Sequence, residues 1–473
     1  MLNSGPGLPE WVGVGPWSDL PDEGIPIMST APSNEVAEGA LARGRPPFLR
    51  RVRLRGYKSI AFCDVTLEPL TILVGRNASG KSNFLDALAF LRDLMEMRAT
   101  EAVNERKGWR SIHCRTGSTP LIEMGVEGTF ESFKSTWDAD YSFSLEIAGQ
   151  NQIRVRRESL TLSQRGRDRC CGYRVNEGNL EWIGHGHFED DSEWTSEVDV
   201  GQAAAGEKSD DPRFIKRRRL DRLLLSVIGT QPFVDFAEGL RASCVYNFHP
   251  PAIRAHQPIT ASPILARDGA NLARAIDGLR EIEPETVRRI GRYLQAIVPG
   301  VADFRTQEYG DFETVRFTLN AREGQPPLEF DASSMSDGTL RILAALVGAF
   351  QIVLPGGFPG FIGIEEPETA LHPAAMRALV DALDEATLRT QILLTTHSAE
   401  MLDNPTIKPE NLRVVQLVDG QTVIGPVDEA SVEIVARKLS TLGGLERENQ
   451  LEPDLDDQER QRDLSHKGAE HQG

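Results

Sequence analysis

The stretch GRNASGKS at residues 75–82 constrains this chain more than any other. An apolar run, LTILV, enters it, and a helical pattern, SNFLDALAFLRDLMEM, leaves it. Two glycines bracketing four residues, then Lys and Ser, match the P-loop pattern in the strand-to-helix setting it requires. Glycine permits the sharp backbone turn, and successive N–H groups then surround phosphate oxygens. The helix N-terminus adds a favourable dipole. Gly75, Arg76, Asn77, Ala78, Ser79, Gly80 and Lys81, with Ser82 and Asn83 opening the helix, are therefore the candidate nucleotide-binding residues. Lys81 is expected to reach the β- and γ-phosphates, and Ser82 to offer its hydroxyl to Mg²⁺.

A second stretch, GFIGIEEPETALHP at 360–373, ends an apolar run in two adjacent carboxylates. Charge at the end of a buried strand is costly unless a cation or hydrogen bonds compensate. A phosphate loop elsewhere in the chain supplies that reason. Glu365 is read as the residue holding Mg²⁺ through its water shell. Glu366 is read as the residue that orients or deprotonates the attacking water. A third strand pattern, ILLTTHS, ends at His397, which suits a residue hydrogen-bonded to the γ-phosphate. In SSMSDGTLR at 333–341, Ser336 and Gly338 lie at the mouth of another helix, a second anion-accepting terminus. One triphosphate tail needs only one cradle, so this second mouth is expected to serve a phosphate held by another subunit.

The balance of 70 acidic against 52 basic residues, net −18, argues against a surface that coats nucleic acid indiscriminately. Local basic strings remain, at 43–55 and 216–222, and a charge run is ordinarily a solvated face. Arg55, Lys58 and Arg254 are weaker candidates for contact with nucleotide, DNA or a cleft. Five cysteines show neither zinc spacing nor a disulfide framework. No segment reads as a membrane helix and the N-terminus lacks a secretory pattern, so the expected location is the cytoplasm.

Along the chain, residues 1–45 read as a disordered leader, with Met28 an alternative start. Residues 46–117 read as the first part of an ATPase core, and 118–211 as an antiparallel β subdomain with a polar, irregular insertion from 164. Residues 212–300 read as a helical lobe opened by an Asp211-Pro212 cap. Residues 301–450 read as the second part of the core, and 451–473 as an acidic disordered tail. Apolar strands alternating with helices in the last third indicate an α/β fold with a parallel sheet covered on both faces.

Together these pieces resemble the ABC-type ATPases, and more closely the branch containing SMC, RecF and OLD proteins. Asn77 within GRNASGKS, the opening VRLRGYKSI, the divergent signature MSDGT, the extended Walker B and D-loop IEEPETALHP and the switch histidine of TTHS carry the resemblance. It implies a P-loop NTPase of ABC type: a mixed or parallel core, an antiparallel β subdomain and a helical lobe. It also implies ATP and Mg²⁺ as cofactors and a head-to-tail homodimer. In that dimer Ser336 and Gly338 meet the γ-phosphate held by the partner's loop, and 369–372 lines the interface. Three features depart from the pattern. No Q-loop glutamine follows the P-loop helix, and no heptads for a long coiled coil or length for a Toprim domain is found.

The resemblance implies ATP hydrolysis, serving DNA repair or maintenance in the RecF/SMC manner. OLD-like anti-phage or regulatory control of an effector protein is the alternative, as is an ATP-binding switch with little turnover. The motor of a membrane transporter fits less well.

Overall fold

The computed structural model describes residues 48–461, apart from 117–118, 133, 149–151, 186–220, 260–261, 321–325, 352–359, 370, 455 and 458. The expected leader and the Asp211-Pro212 helix start lie outside the described residues, as does most of the basic string at 216–222.

The chain enters through an antiparallel pair, β1 (Phe48–Tyr57) and β2 (Ile60–Thr66). Next come β3 (Leu70–Val74) and two helices, α1 (Lys81–Glu96) and α2 (Ala99–Glu105). β4 (Ile122–Ser132), β5 (Ser135–Ala148), β6 (Gln152–Gln164), β7 (Cys170–Asn176) and β8 (Asn179–His185) then extend the first pair into a seven-stranded sheet, ordered β2-β1-β4-β5-β6-β7-β8. The expected irregular insertion is thus corrected over its first part. Residues 170–185 form a hairpin paired from Cys170↔His185 to Asn176↔Asn179, because alternating CCGYRV and LEWIG flank a turn at Glu177-Gly178.

After α3 (Phe233–Arg241), β9 (Cys244–Tyr246) joins the central sheet parallel to a later strand. The stretch read as a helical lobe therefore also feeds a strand into the core. RLLLSVIG at 222–229, inside the expected helical lobe, is a series of turns. Helices do follow, α4 (Leu272–Ile282) and α5 (Pro284–Ile297). A small antiparallel sheet comes next, ordered β10 (Gln257–Pro258), β12 (Phe312–Leu319), β11 (Val301–Tyr309), with β13 (Leu328–Asp331) pairing β12.

The remaining elements are α6 (Asp337–Phe350), β14 (Phe361–Glu365), α7 (Pro373–Ala386), β15 (Gln391–Thr396), β16 (Leu412–Val418), β17 (Gln421–Gly425), α8 (Glu429–Ala436) and α9 (Leu442–Arg447). The central sheet runs β17-β16-β3-β15-β14-β9, parallel except for β17. Its strands are predominantly apolar because both faces are covered. Ile72, Val74, Ile362, Ile364, Ile392 and Leu394 enter the core beneath the helical side. Leu73, Phe361, Leu393 and Val415, one residue out of step, join α1 and the antiparallel sheet in a second core. The period-2 alternation divides the molecule into two apolar bodies that share one sheet.

The acidic end is corrected as well. Leu451 is buried, Pro453 bridges Val427, and the Gln461 amide donates to the carbonyls of Asp64 (3.1 Å) and Ile424 (3.0 Å). The described residues of this stretch contribute to the fold because the Gln461 side-chain amide closes the end of the β2–β17 seam.

Glu158, 2% exposed, accepts from the hydroxyls of Tyr141 (3.0 Å) and Tyr173 (2.6 Å) and from the backbone N–H groups of Leu224 (2.6 Å) and Leu225 (3.0 Å). This ties the turns after 220 to β6. Burial pushes the carboxyl above its usual range despite those donors. Glu158→Ala strands two hydroxyls and two amides, and a loss of about 3 kcal/mol is expected from urea unfolding midpoints. An unchanged midpoint would show that the anchor contributes nothing.

Candidate nucleotide-binding site

The register of three parallel strands builds the site. Val74 of β3 pairs with Thr396 of β15, and Thr395 pairs with Glu365 of β14, so the carboxyl ends of all three strands stop at one edge. Gly75, Glu366 and His397 are the residues that come next in each.

The turn after β3 needs its glycines. A Cβ on Gly75 would stand 2.1 Å from the Val415 carbonyl oxygen, and one on Gly80 (φ +109°) 2.0 Å from Thr422 Oγ1. Thr422 holds the turn from outside: its hydroxyl donates to the Ser79 carbonyl (2.8 Å) and meets Ser59 Oγ (2.6 Å), which Asn83 Nδ2 also reaches (2.7 Å). Arg76, Asn77 and Ala78 are exposed at its crest. Lys81, 5% exposed, folds back and donates to the carbonyls of Gly75 (2.5 Å) and Arg76 (2.9 Å). Burial lowers its pKa, while Glu366, Glu446 and Glu368 pull it upward.

The Ser82 hydroxyl donates to Glu365 Oε2 at 2.6 Å, joining the first turn of α1 to the tip of β14. Burial holds the Glu365 carboxyl above its usual range. One hydroxyl and one carboxylate fit a hard divalent cation that keeps waters and phosphate oxygens as its other ligands. Among the described residues, no cluster of three or more His, Cys, Asp or Glu forms a self-sufficient metal cage. The donor set thus fits Mg²⁺ arriving with phosphates. The buried Ser79 hydroxyl, without a partner among the described residues, leaves a further polar group in the loop.

Glu366 adopts φ +43°, a conformation most residues avoid, and its N–H donates to the carbonyl (3.1 Å) and hydroxyl (3.2 Å) of Thr395. That turn aims its carboxylate at His397, with Nδ1 3.5 Å from Oε1. Lys81, Ser82, Glu365, Glu366 and His397 are thereby brought together.

Ser336 and Gly338 lie elsewhere, at the start of α6, where Ser336 Oγ caps the Thr339 N–H. Arg254 braces that turn by donating to the Met335 carbonyl (2.8 Å) and pairing with Asp337. Arg55 lies within 3.5 Å of Glu123, in a hollow of about 670 Å³ on the antiparallel sheet that contains none of the other candidate residues.

Sequence reasoning passed over a buried charge cluster beside the cation position. Asp86, one helical turn after Ser82 and 7% exposed, receives Tyr57 Oη (2.6 Å), Lys58 Nζ (2.6 Å) and Arg106 Nε (3.3 Å), with Arg267 3.9 Å away. Its i+4 spacing from Ser82 was the available signal. Glu368, 4% exposed, was also passed over. It accepts from Thr396 Oγ1, and its other oxygen has no partner among the described residues. Burial raises the Glu368 carboxyl. The cysteines carry no disulfide, and burial pushes Cys171 up to about 12, unsuited to a reactive thiolate. Among the described residues no helix is long and apolar enough to cross a membrane.

The family profile described as "AAA domain, putative AbiEii toxin, Type IV TA system" matches residues 70–232 and 245–403, more than half of the chain. The DNA replication and repair protein RecF of Arthrobacter sp. (strain FB24) is 32% identical over 89 residues, 17% of this chain and 22% of that protein. RecF of Gloeobacter violaceus (strain ATCC 29082 / PCC 7421) is 38% identical over 84 residues, 16% of this chain and 22% of that protein. The matches thus span about a fifth of these relatives' length. Among solved structures, the Pyrococcus furiosus Smc head domain bound to the C-terminal domain of ScpA aligns over 83% of this chain and 99% of its own. Its sequence identity is 14% and its TM-score 0.44.

Burial would raise the Asp86 carboxyl, but Arg106 and Lys58 outweigh that and hold it below its usual range. Its stabilisation is therefore complete above the ordinary carboxylate range near 4 and lost as pH falls through the lower folded value. Asp86→Asn strands two cations, and a loss of about 3 kcal/mol is expected at pH 7, shrinking below about pH 4. Unfolding free energies across that range provide the check; a pH-independent difference would contradict the charge pairing.

Proposed function

Because this chain belongs to the AAA-domain family just described, an ABC-type ATPase of the SMC/RecF branch, we propose that it binds and hydrolyses ATP with Mg²⁺ and dimerises around the nucleotide. The Ser82–Glu365 contact at 2.6 Å carries the reading, since it joins the loop of one strand to the carboxylate of another at the position a phosphate-bound cation needs. Ser82 and Glu365 would hold the Mg²⁺, which when bound neutralises charge on the β- and γ-phosphate oxygens.

Lys81 turns its ammonium from the Gly75 and Arg76 carbonyls onto the phosphate tail. The N–H groups of 76–82 surround the phosphates, with Asn83 fixed to Ser59 behind them. Glu366 accepts the proton of the attacking water, its orientation set by the Thr395 hydrogen bonds. His397 stands beside Glu366 to donate to the γ-phosphate. Ser336 and Gly338, remote from this cluster, serve the nucleotide of a second copy. The output is DNA maintenance in the manner of RecF, and control of a partner effector protein is the second reading; a cytoplasmic setting suits both.

Lys81→Ala is expected to abolish nucleotide retention. Glu366→Gln is expected to lower multiple turnover at least about 100-fold while keeping ATP and trapping a dimer. Phosphate release together with light-scattering mass measures both. Unchanged turnover in Glu366→Gln would overturn its role, and stoichiometric retention without turnover by the wild type would make the protein a switch.

A further inference from the structure

Two threonines at the end of β15 grip the segment that follows β14. Thr395 takes the Glu366 N–H on both its carbonyl (3.1 Å) and its hydroxyl (3.2 Å). Thr396, fully buried, donates its hydroxyl to Glu368 Oε1 and accepts from the Ser398 N–H at 3.0 Å. His397 stands between Thr396 and Ser398, so this one hydroxyl ties both of its chain neighbours to Glu368. Glu366 and Glu368 are joined in turn, because the Thr369 N–H donates to the Glu366 carbonyl (3.2 Å) across a tight turn with Pro367 second. Both members of the Glu366–His397 pair are therefore fastened by one clasp.

The clasp is built against resistance. Glu366 holds φ +43°, and such a backbone persists only where its surroundings over-determine it. Glu368 is 4% exposed, and its Oε2 lies out of solvent without a partner among the described residues. A buried group left so calls for a functional reason. Its chemistry supplies one. A carboxylate oxygen accepts, so the Thr396 hydroxyl must donate to it, and the hydroxyl oxygen is left to take the Ser398 N–H. The direction of both bonds beside His397 follows from the single acid.

Resting on the hydrolytic reading above, we propose that Glu368 is a positioning residue: through the Thr396 hydroxyl it fixes His397 against Glu366, and so sets the rate of hydrolysis without holding the nucleotide.

Turnover of Mg·ATP by the full-length protein is measured in Glu368→Ala, Glu368→Gln, Thr396→Val and Thr396→Ser, beside ATP retention and unfolding midpoints. Glu368→Ala and Thr396→Val are each expected to lower kcat about tenfold, with KM within about twofold of wild type. The double variant is expected to be no slower than either single one, because both remove the same bond. Thr396→Ser keeps the hydroxyl and Glu368→Gln an acceptor oxygen, and both are expected to recover most of the rate. A tie that is merely structural would move the midpoint and leave kcat of the folded protein unchanged, which overturns the proposal. So do effects that multiply in the double variant, ATP retention lost in step with kcat, or Glu368→Gln as slow as Glu368→Ala. If Glu368→Ala does not fold, Thr396→Val against Thr396→Ser decides, and equal rates overturn the role. Wild type that retains Mg·ATP without turnover overturns the hydrolytic reading itself, and this inference with it.

Discussion

The parallel register of β3, β15 and β14 is the constraint on which the rest depends. Three strands that end level carry their next residues to a single edge. Slipping one strand by a residue would turn Ile362 and Ile364, or Ile392 and Leu394, out of the core beneath the helical side. Hydrophobic burial on both faces therefore sets the site's geometry before any phosphate arrives. The chemistry is a by-product of where the strands are forced to stop.

Around that edge, charge is arranged in excess of what local pairing satisfies. Glu366, Glu368 and Glu446 all pull on the charge of the buried Lys81 ammonium, and burial raises the carboxyls of Glu365, Glu368 and Glu446 above their usual range. Such an arrangement is tolerable when cations enter with the ligand. By contrast Asp86, on the same face of α1, is saturated by Tyr57, Lys58 and Arg106. One acid group awaits a ligand, and the other braces the helix that presents it. The Asp86 cluster also ties α1 to the end of α2 through Arg106, which pairs with Asp93 as well (2.7 Å), and to β1 of the antiparallel sheet through Tyr57.

Much of this was legible in the chain. The loop at 75–82 is short and local, so its residues alone specify a turn, and the run FIGIEE announces a buried strand ending in acid. The turns at 222–229 fall inside the expected helical lobe because a short apolar run fits either a helix or packed turns, and here Glu158 captures the Leu224 and Leu225 amides. The hairpin at 170–185 and the ordered stretch 451–461 were missed for a related reason. Polar residues hide a strand or an anchor when their partners, such as Asp64 and Ile424 for Gln461, are far away in sequence.

The sequence by itself determined the phosphate-loop turn, the two-faced parallel core and the identity of the acids at its edge, because each depends on neighbours within a few residues. Only the tertiary structure decided which groups share that edge. The 3.5 Å approach of His397 to Glu366, the saturation of Asp86 and the arrival of Glu446 at the cavity lined by Asn77 and His397 are long-range arrangements. Packing distributes these charges between elements, and no local pattern records that distribution.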